Sequence, residues 1–272
     1  MGKGIFANRL KQAIRLFTLG FLSLCCRLVS PWLSRPEVLV LVYHSVRDDD
    51  WFYSVSPADF QRQIKYIKEQ YHPVSLADVC QYAKGIKLLA HRSIAVTFDD
   101  GYEDFKTNAL PILEMYQIPV TLFVSAGVVD AKDLGTNLPT LQGVALKEIS
   151  AHPLVKIGSH AMTHRKLTRL SAENQKEEVI KSKRLLEAML EIPVHFFAYP
   201  KGNFSTGTRN IIKDAGYRGA VTVIQTTIKP GNDPYLLPRI QIDRSIGFSE
   251  FVLRLTRVAD WYYALWCLII HG

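Results

Sequence analysis

The sequence predicts an α/β domain built around a largely parallel sheet or barrel. After Pro36, short apolar runs with the character of buried strands alternate with amphipathic segments with the character of helices. This alternation is typical of parallel strands that are joined by helical crossovers. The 272 residues, of which 48% are hydrophobic and 21% charged, suffice to bury one core of catalytic size.

The predicted elements follow from periodicity and capping residues. The first helix is expected to have Ser56 as its N-cap and Pro57 in its first turn. The predicted helices are Ser56–Gln70, Asn108–Tyr116, Ser171–Glu191 and Thr206–Asp214. The predicted strands are Val38–Tyr43, Ser93–Phe98, Val120–Val124, Ile157–Ser159, Phe196–Tyr199 and Ala220–Ile224.

The N-terminal segment, residues 1–36, carries a membrane signal. It is basic at the front, and its apolar side chains recur every three or four positions, as in an amphipathic helix that lies in a membrane interface. A spanning helix needs about 20 apolar residues, and Arg27 and Pro31 interrupt the longest run. A signal anchor, a cleaved signal peptide and an ordinary core helix remain open as alternatives.

The predicted organisation has three parts: the membrane-associated segment 1–36, the main domain 37–247 and an aromatic-rich helical tail 248–272. The formal net charge of +8 indicates an anionic partner, and no nucleic-acid-binding motif accompanies it. A membrane surface or a phosphate-bearing substrate is therefore expected, and nucleic acid is not. Four cysteines without paired spacing indicate neither a disulfide framework nor a cysteine-based zinc site.

Two adjacent carboxylates, Asp99 and Asp100, close the second predicted strand. The carboxyl ends of strands are where α/β folds place their active sites. Neighbouring side chains on a strand point to opposite faces, so both carboxylates serve one site only if the chain turns, which Gly101 permits. The alternative is that one of them caps the following helix.

Two histidines, His160 and His164, follow the predicted strand Ile157–Ser159. In a helical turn, their four-residue spacing would put both imidazoles on one face, within reach of one metal ion. Ala161 stands where a zincin protease has glutamate, so a catalytic base must come from elsewhere. A structural histidine pair is the alternative interpretation.

Together the two clusters supply one carboxylate and two neutral imidazoles. This set suits zinc or a similar divalent cation that keeps positions open for water and substrate. The remaining carboxylate is available as the general base that the attacking water requires.

These motifs resemble those of the polysaccharide deacetylases, the carbohydrate esterase family with the NodB homology domain. Residues 97–101 match the first motif of the family in full. Residues 160–164 keep both ligand positions of its His-Ser/Thr-x-x-His motif, with Ala161 at the Ser/Thr position. The resemblance spans about residues 39–242.

The resemblance implies a distorted (β/α) barrel and a hydrolase that removes N-acetyl groups from amino sugars of a glycan. The membrane signal at the N-terminus and the aromatic tail favour a bacterial polysaccharide or lipid-linked glycan as substrate, with peptidoglycan and chitin oligomers as alternatives. The resemblance also implies that Asp99 is the general base and that Asp100, His160 and His164 hold a divalent cation. Zn²⁺ is the expected ion, and acetate is an expected product.

The third family motif, Arg-x-Pro-aromatic-Gly, is matched in part. Pro200 and Gly202 agree, whereas Ala198 and Lys201 replace the arginine and the aromatic residue. The backbone N–H of Lys201 is implied to stabilise the tetrahedral oxyanion, which requires no particular side chain. Arg239, expected just after a strand, could replace the arginine that orients the base; a surface ion pair is its alternative role.

The late Leu-x-His motif, which supplies the catalytic acid in ordinary members, has no counterpart between His195 and His271. The subgroup resembling poly-N-acetylglucosamine deacetylases instead supplies the acid from an early Tyr-His segment, which Tyr43-His44 matches. His44 is therefore the expected acid. A structural, hydrogen-bonded histidine is the alternative.

The expected partner is an N-acetylated glycan or glycolipid at the bacterial cell envelope, and the face of the membrane stays open. The alternative function is a catalytically decayed module that binds or scaffolds a glycan. The changes at Ala198 and Lys201 favour that alternative. The intact Asp99, Asp100, His160 and His164 oppose it, because a binding module needs no base beside a metal.

Overall fold

The computed structural model describes residues 38–129, 136 and 138–256. It divides into a larger unit, Glu37–Arg244, and a smaller one to which residues 245–256 belong. The predicted N-terminal segment and the tail beyond residue 256 lie outside the described residues. Within the described ranges, no helix combines the length and the apolar character that crossing a membrane requires.

The larger unit is organised around one parallel sheet with strand order β10-β1-β5-β6-β7-β8-β9, and β4 pairs with the start of β5. A separate pair consists of β2 and β3. The strands are β1 Leu39–Tyr43, β2 Ser45–Val46, β3 Ser54–Val55, β4 His72–Pro73, β5 Ser93–Phe98, β6 Val120–Val124, β7 Val155–Ser159, β8 Phe196–Ala198, β9 Gly219–Val221 and β10 Ile240–Gln241.

Helices connect these strands. Those of the larger unit are α1 Pro57–Gln70, α2 Leu76–Ala83, α3 Leu110–Tyr116, α4 Gly143–Ser150, α5 Ala172–Leu190 and α6 Thr206–Asp214. A π-helix, Phe105–Ala109, leads directly into α3. The smaller unit contains α7, Phe248–Arg254.

The segment Leu237–Gln241 bridges the two edges of the sheet, and we call it the seam. On one side Leu237 pairs with Val221 of β9, and on the other Ile240 pairs with Leu41 of β1. The sheet therefore curls into the predicted distorted barrel. Arg239 lies inside the seam and before β10, so its expected place just after a strand was wrong: residues 230–236, which include two prolines and a glycine, form turns instead.

The capping signals locate α1 correctly. The Ser56 hydroxyl accepts a hydrogen bond from the backbone N–H of Asp59 at 3.1 Å, and Pro57 occupies the first turn. Phe60, Ile64 and Ile67 are buried on one face, as the periodicity predicts. The predicted bounds of this helix are confirmed.

Candidate active site

Side chains from two strand ends meet at the carboxyl edge of the sheet. Asp100 follows β5, and His160 and His164 follow β7. The Asp100 Oδ1 atom lies 3.5 Å from His160 Nε2 and 3.3 Å from His164 Nε2. One ligand atom from each of the three residues lies within 4.8 Å of the others, so the structure brings the three predicted metal ligands together.

The turn after β5 directs two adjacent carboxylates to one site. Asp100 and Gly101 both have φ of 74°, which is a left-handed conformation that a residue with a side chain adopts at a cost. A Cβ at Gly101 would lie 3.2 Å from Val124 Cγ2, so this position is tight as well. The predicted turn is present, and it begins one residue earlier than Gly101.

The turn that carries the histidines is not helical, so the predicted helical turn was wrong. Ala161 and His164 have φ of 64° and 56°, and these left-handed residues break any helical path. The turn nevertheless brings the two imidazole rings to a centroid distance of 4.9 Å. The two imidazole rings therefore face one site because of strained left-handed backbone conformations and not because of helical spacing.

The hydrogen bonding of His160 leaves its other nitrogen facing the cluster. Its Nδ1 atom lies 2.8 Å from the carbonyl oxygen of Ala198 at the end of β8. Because a carbonyl only accepts, Nδ1 carries the proton and Nε2 presents a lone pair toward Asp100. Burial lowers the pKa of His160 to about 4, so this imidazole is neutral at pH 7.

The chemistry of this cluster fits a divalent cation. The Asp100 Oδ1 atom is buried and, among the described residues, has no hydrogen-bond partner. A buried carboxylate oxygen without a partner is costly, yet it faces two imidazole nitrogens that can serve as ligands. One carboxylate and two imidazoles are a ligand set that suits zinc.

Asp99 is held by Arg239 in a two-pronged ion pair. The guanidinium Nη1 and Nη2 atoms each donate to one Asp99 oxygen at 2.7 Å. The same guanidinium donates from Nε to the carbonyl of Thr222 at 2.8 Å and from Nη1 to the hydroxyl of Thr97 at 3.1 Å. Arg239 is 0% exposed, so its alternative role as a surface ion-pair partner is wrong.

The electrostatics keep Asp99 ionised beside the cation site. Burial alone would raise the pKa of this carboxyl, but the positive charge of Arg239 outweighs it and holds the pKa well below its usual range. The Asp99 Oδ2 atom is 4.0 Å from His160 Nε2. An ionised carboxylate thus lies beside the three candidate ligand groups.

His44 occupies the turn between β1 and β2. Its half-buried ring lies 4.8 Å from the ring of Tyr53. The strand that precedes it, β1, is tied to Asp99, because the Asp99 N–H donates to the carbonyl of Tyr43 at 3.0 Å. The buried Nδ1 atom of His44 has no hydrogen-bond partner in the described part of the chain.

Lys201 lies in a tight turn after β8. Lys201 and Gly202 have φ of 58° and 68°, and a Cβ at Gly202 would clash with Val223 Cγ2 at 2.1 Å. The Lys201 side chain is exposed. The carbonyl of Ala198, at the end of β8, accepts the hydrogen bond from His160. Lys201 follows Ala198 by three residues, so its backbone lies near the residue that holds His160.

Glu178 was missed by sequence reasoning. This buried carboxylate on α5 accepts hydrogen bonds from the backbone N–H groups of Met162 and Thr163 at 3.0 Å each, and from the Thr163 hydroxyl. It therefore fixes the turn between the two histidines. The residue lies on a helix rich in exposed charges, so nothing local in the sequence distinguishes it.

We expect Glu178→Gln to weaken Zn²⁺ binding about 10–100-fold, the range typical of residues that orient metal ligands. Glutamine replaces one acceptor oxygen by an NH₂ group that faces donors. Calorimetric titration of Zn²⁺ measures the affinity. The exposed neighbour Glu177→Gln is the matched control, and equal affinities of both variants would contradict this role for Glu178.

Residues 88–220 match the family model described as polysaccharide deacetylase. A poly-beta-1,6-N-acetyl-D-glucosamine N-deacetylase of Staphylococcus aureus (strain MSSA476) is 29% identical over 244 residues, which cover 80% of this chain and 82% of that protein.

Solved structures share the fold. IcaB from Ammonifex degensii has a TM-score of 0.75 at 24% identity, over 82% of this chain and 98% of that one. The Streptococcus pyogenes deacetylase PplD, in complex with acetate, has a TM-score of 0.71 at 24% identity, over 80% and 98% of the two chains. The family match over residues 88–220, which include the aspartate and histidine motifs, identifies a polysaccharide deacetylase domain in this chain.

Proposed function

We propose that the chain removes N-acetyl groups from amino sugars of a bacterial polysaccharide or lipid-linked glycan and releases acetate. One observation carries the proposal: Asp100, His160 and His164 converge on a common point, and the ionised Asp99 lies beside them. The matched S. aureus protein is by name a deacetylase of a β-1,6-linked N-acetylglucosamine polymer, which supports a polymer of this kind as substrate.

Each residue of the candidate site has a separate proposed role in the hydrolysis. When bound to Asp100, His160 and His164, a divalent cation, with Zn²⁺ proposed, would supply Lewis acidity toward the acetamide carbonyl and the attacking water. Asp99 accepts the proton of that water at Oδ2, and Arg239 holds the carboxylate in position.

The backbone and the early histidine complete the reaction. The N–H of Lys201 donates a hydrogen bond to the oxyanion of the tetrahedral intermediate. The C–N bond then breaks, and His44 gives a proton to the departing amine. The products are acetate and a free amino sugar, so atoms and charge balance with water as the sole co-reactant.

Acetate release after chelation tests this function. We expect the chelated protein to be inactive on N-acetylglucosamine oligomers and Zn²⁺ to restore activity. In His160→Ala, the rate of acetate release should fall by more than about 100-fold, which exceeds the loss typical of residues that only orient metal ligands. His152→Ala is the matched control, because His152 pairs with Glu114 at the surface. Full acetate release from the chelated protein would refute the cation's role.

The decayed-module alternative receives little support from the site. Arg239 contacts the base in the way that the missing third-motif arginine would. The change at Ala198 preserves the carbonyl that holds His160. Glycan binding without acetate release from any acetylated amino sugar would revive that alternative.

Membrane association is a separate proposal, supported by the basic amphipathic pattern of residues 1–36. We expect the full chain to sediment with membranes in a detergent-free lysate. Since several positive charges contribute, high salt should release part of it. Quantitative immunoblotting of the fractions measures this, and a wholly soluble chain at low salt would refute it.

A further inference from the structure

We propose that residues 47–53, called here the aromatic loop, form a subsite for the sugar ring next to the one that is deacetylated. This inference rests on the proposed function and narrows its substrate to a chain of at least two linked sugars. The loop connects β2 to β3 and carries Trp51, Phe52 and Tyr53.

The rings of the loop continue directly from His44. The His44 ring lies 4.8 Å from Tyr53 and 6.3 Å from Trp51. Trp51 lies 5.3 Å from Tyr53 and 5.2 Å from Tyr102, which follows the two aspartates. The rings of the loop therefore adjoin the proposed catalytic acid, and we infer that they contact a neighbouring sugar of the same glycan.

The base of the loop is fixed by buried polar groups. Ser45 and Ser54, one at each end of the loop, are joined by a hydrogen bond of 3.2 Å between their hydroxyls. The Ser45 hydroxyl also donates to Asp104. All three side chains are buried, so these two hydrogen bonds are shielded from water and hold both loop ends in one geometry.

The tip of the loop is held as well. The carbonyl of Phe52 accepts from the backbone N–H of Arg244 at 3.2 Å, and the Arg244 side chain reaches Asp50 at 3.2 Å. The Trp51 N–H donates to Asp49 Oδ1 at 3.0 Å. A loop fixed at base and tip pays little ordering cost when it binds a ligand.

The exposure of the loop fits a sugar. Phe52 is 49% exposed, and Trp51 and Tyr53 are half-buried. A pyranose ring has an apolar C–H face, which packs on aromatic rings, and a rim of hydroxyls, which needs polar partners. Arg47, Asp49 and Asp50 lie in the same loop and offer polar groups to those hydroxyls, whereas a lipid chain would have to pack beside charged side chains.

The test compares the N-acetylglucosamine pentamer with the monomer in acetate release. We expect Trp51→Ala to lower the ratio of the two kcat/KM values about tenfold, mainly through KM for the pentamer, since tenfold corresponds to one lost ring contact. Trp51→Phe keeps a flat ring and should recover most of the ratio. Tyr66→Ala is the matched control, because Tyr66 belongs to an aromatic pair beside the opposite edge of the sheet.

Calorimetric titration of the pentamer separates this inference from the proposed function. Pentamer binding that weakens in Trp51→Ala supports the subsite even if no acetate is released, which would refute only the deacetylase activity. An unchanged ratio in a folded Trp51→Ala protein overturns the subsite. An equal loss of kcat/KM for monomer and pentamer also overturns it, because the ring would then act only on His44. So does a result in which Trp51 increases the affinity for lipid-bearing ligands and for no other ligand.

Discussion

Asp99→Asn is expected to reduce acetate release by about 10²–10⁴-fold while Zn²⁺ binding persists. The amide cannot accept the proton of the attacking water, so the loss should fall on kcat. Asp99 is not one of the three residues that converge on the cation site, so calorimetry should show Zn²⁺ affinity close to that of the unmodified protein.

The control for this result is Asp214→Asn, which removes an exposed carboxylate at the end of α6. That variant should keep full turnover. Since asparagine also removes the charge opposite the buried Arg239, thermal unfolding must show that Asp99→Asn remains folded at the assay temperature. Unchanged turnover in a folded Asp99→Asn protein would refute the assigned base.

Arg239→Met is expected to lower the free energy of unfolding by about 3–5 kcal/mol and to abolish turnover. The substitution leaves the buried Asp99 carboxylate without its counter-ion and removes the donors to Thr222 and Thr97. Urea denaturation gives the stability. Arg209→Met, which breaks a more exposed ion pair with Asp233, should change the free energy of unfolding far less, because solvent screens that pair.

Arg239→Lys separates positioning from charge. Lysine keeps the positive charge, but it has no planar fork that can hold both Asp99 oxygens. We therefore expect a stability between those of the unmodified and the Met protein, with kcat lowered more than KM is raised. Full turnover in Arg239→Lys would show that orientation of Asp99 does not limit the reaction.

Local signals in the sequence predicted the long helices and the buried strands. The strand Ser93–Phe98 and the helix Thr206–Asp214 were predicted with the bounds that the structure has. The helix Leu76–Ala83 was missed, although its capping box between Ser75 and Asp78 was legible in the sequence. The two-residue strands β2 and β3 were missed because they are too short to show any period.

The geometry of the site depended on contacts that local patterns do not encode. Ala161 and His164 adopt left-handed conformations, which non-glycine residues seldom announce in sequence. Asp99 and Arg239 are 140 positions apart, so the resemblance to the family suggested this pair and no local pattern did. The motifs therefore predicted which residues lie together at the candidate site. Tertiary packing determines the backbone conformations and the long-range contacts that hold them there.

The seam has a consequence for biosynthesis. A ribosome delivers both aspartates and both histidines long before Leu237–Gln241 emerges, and domains fold as their segments become available. Until that last segment docks between β9 and β1, the nascent protein contains the three candidate ligands for a cation but no guanidinium beside Asp99. A transcript that stops short of Leu237 would thus encode a protein that carries the aspartate and histidine motifs and still lacks the guanidinium that holds Asp99, the proposed base.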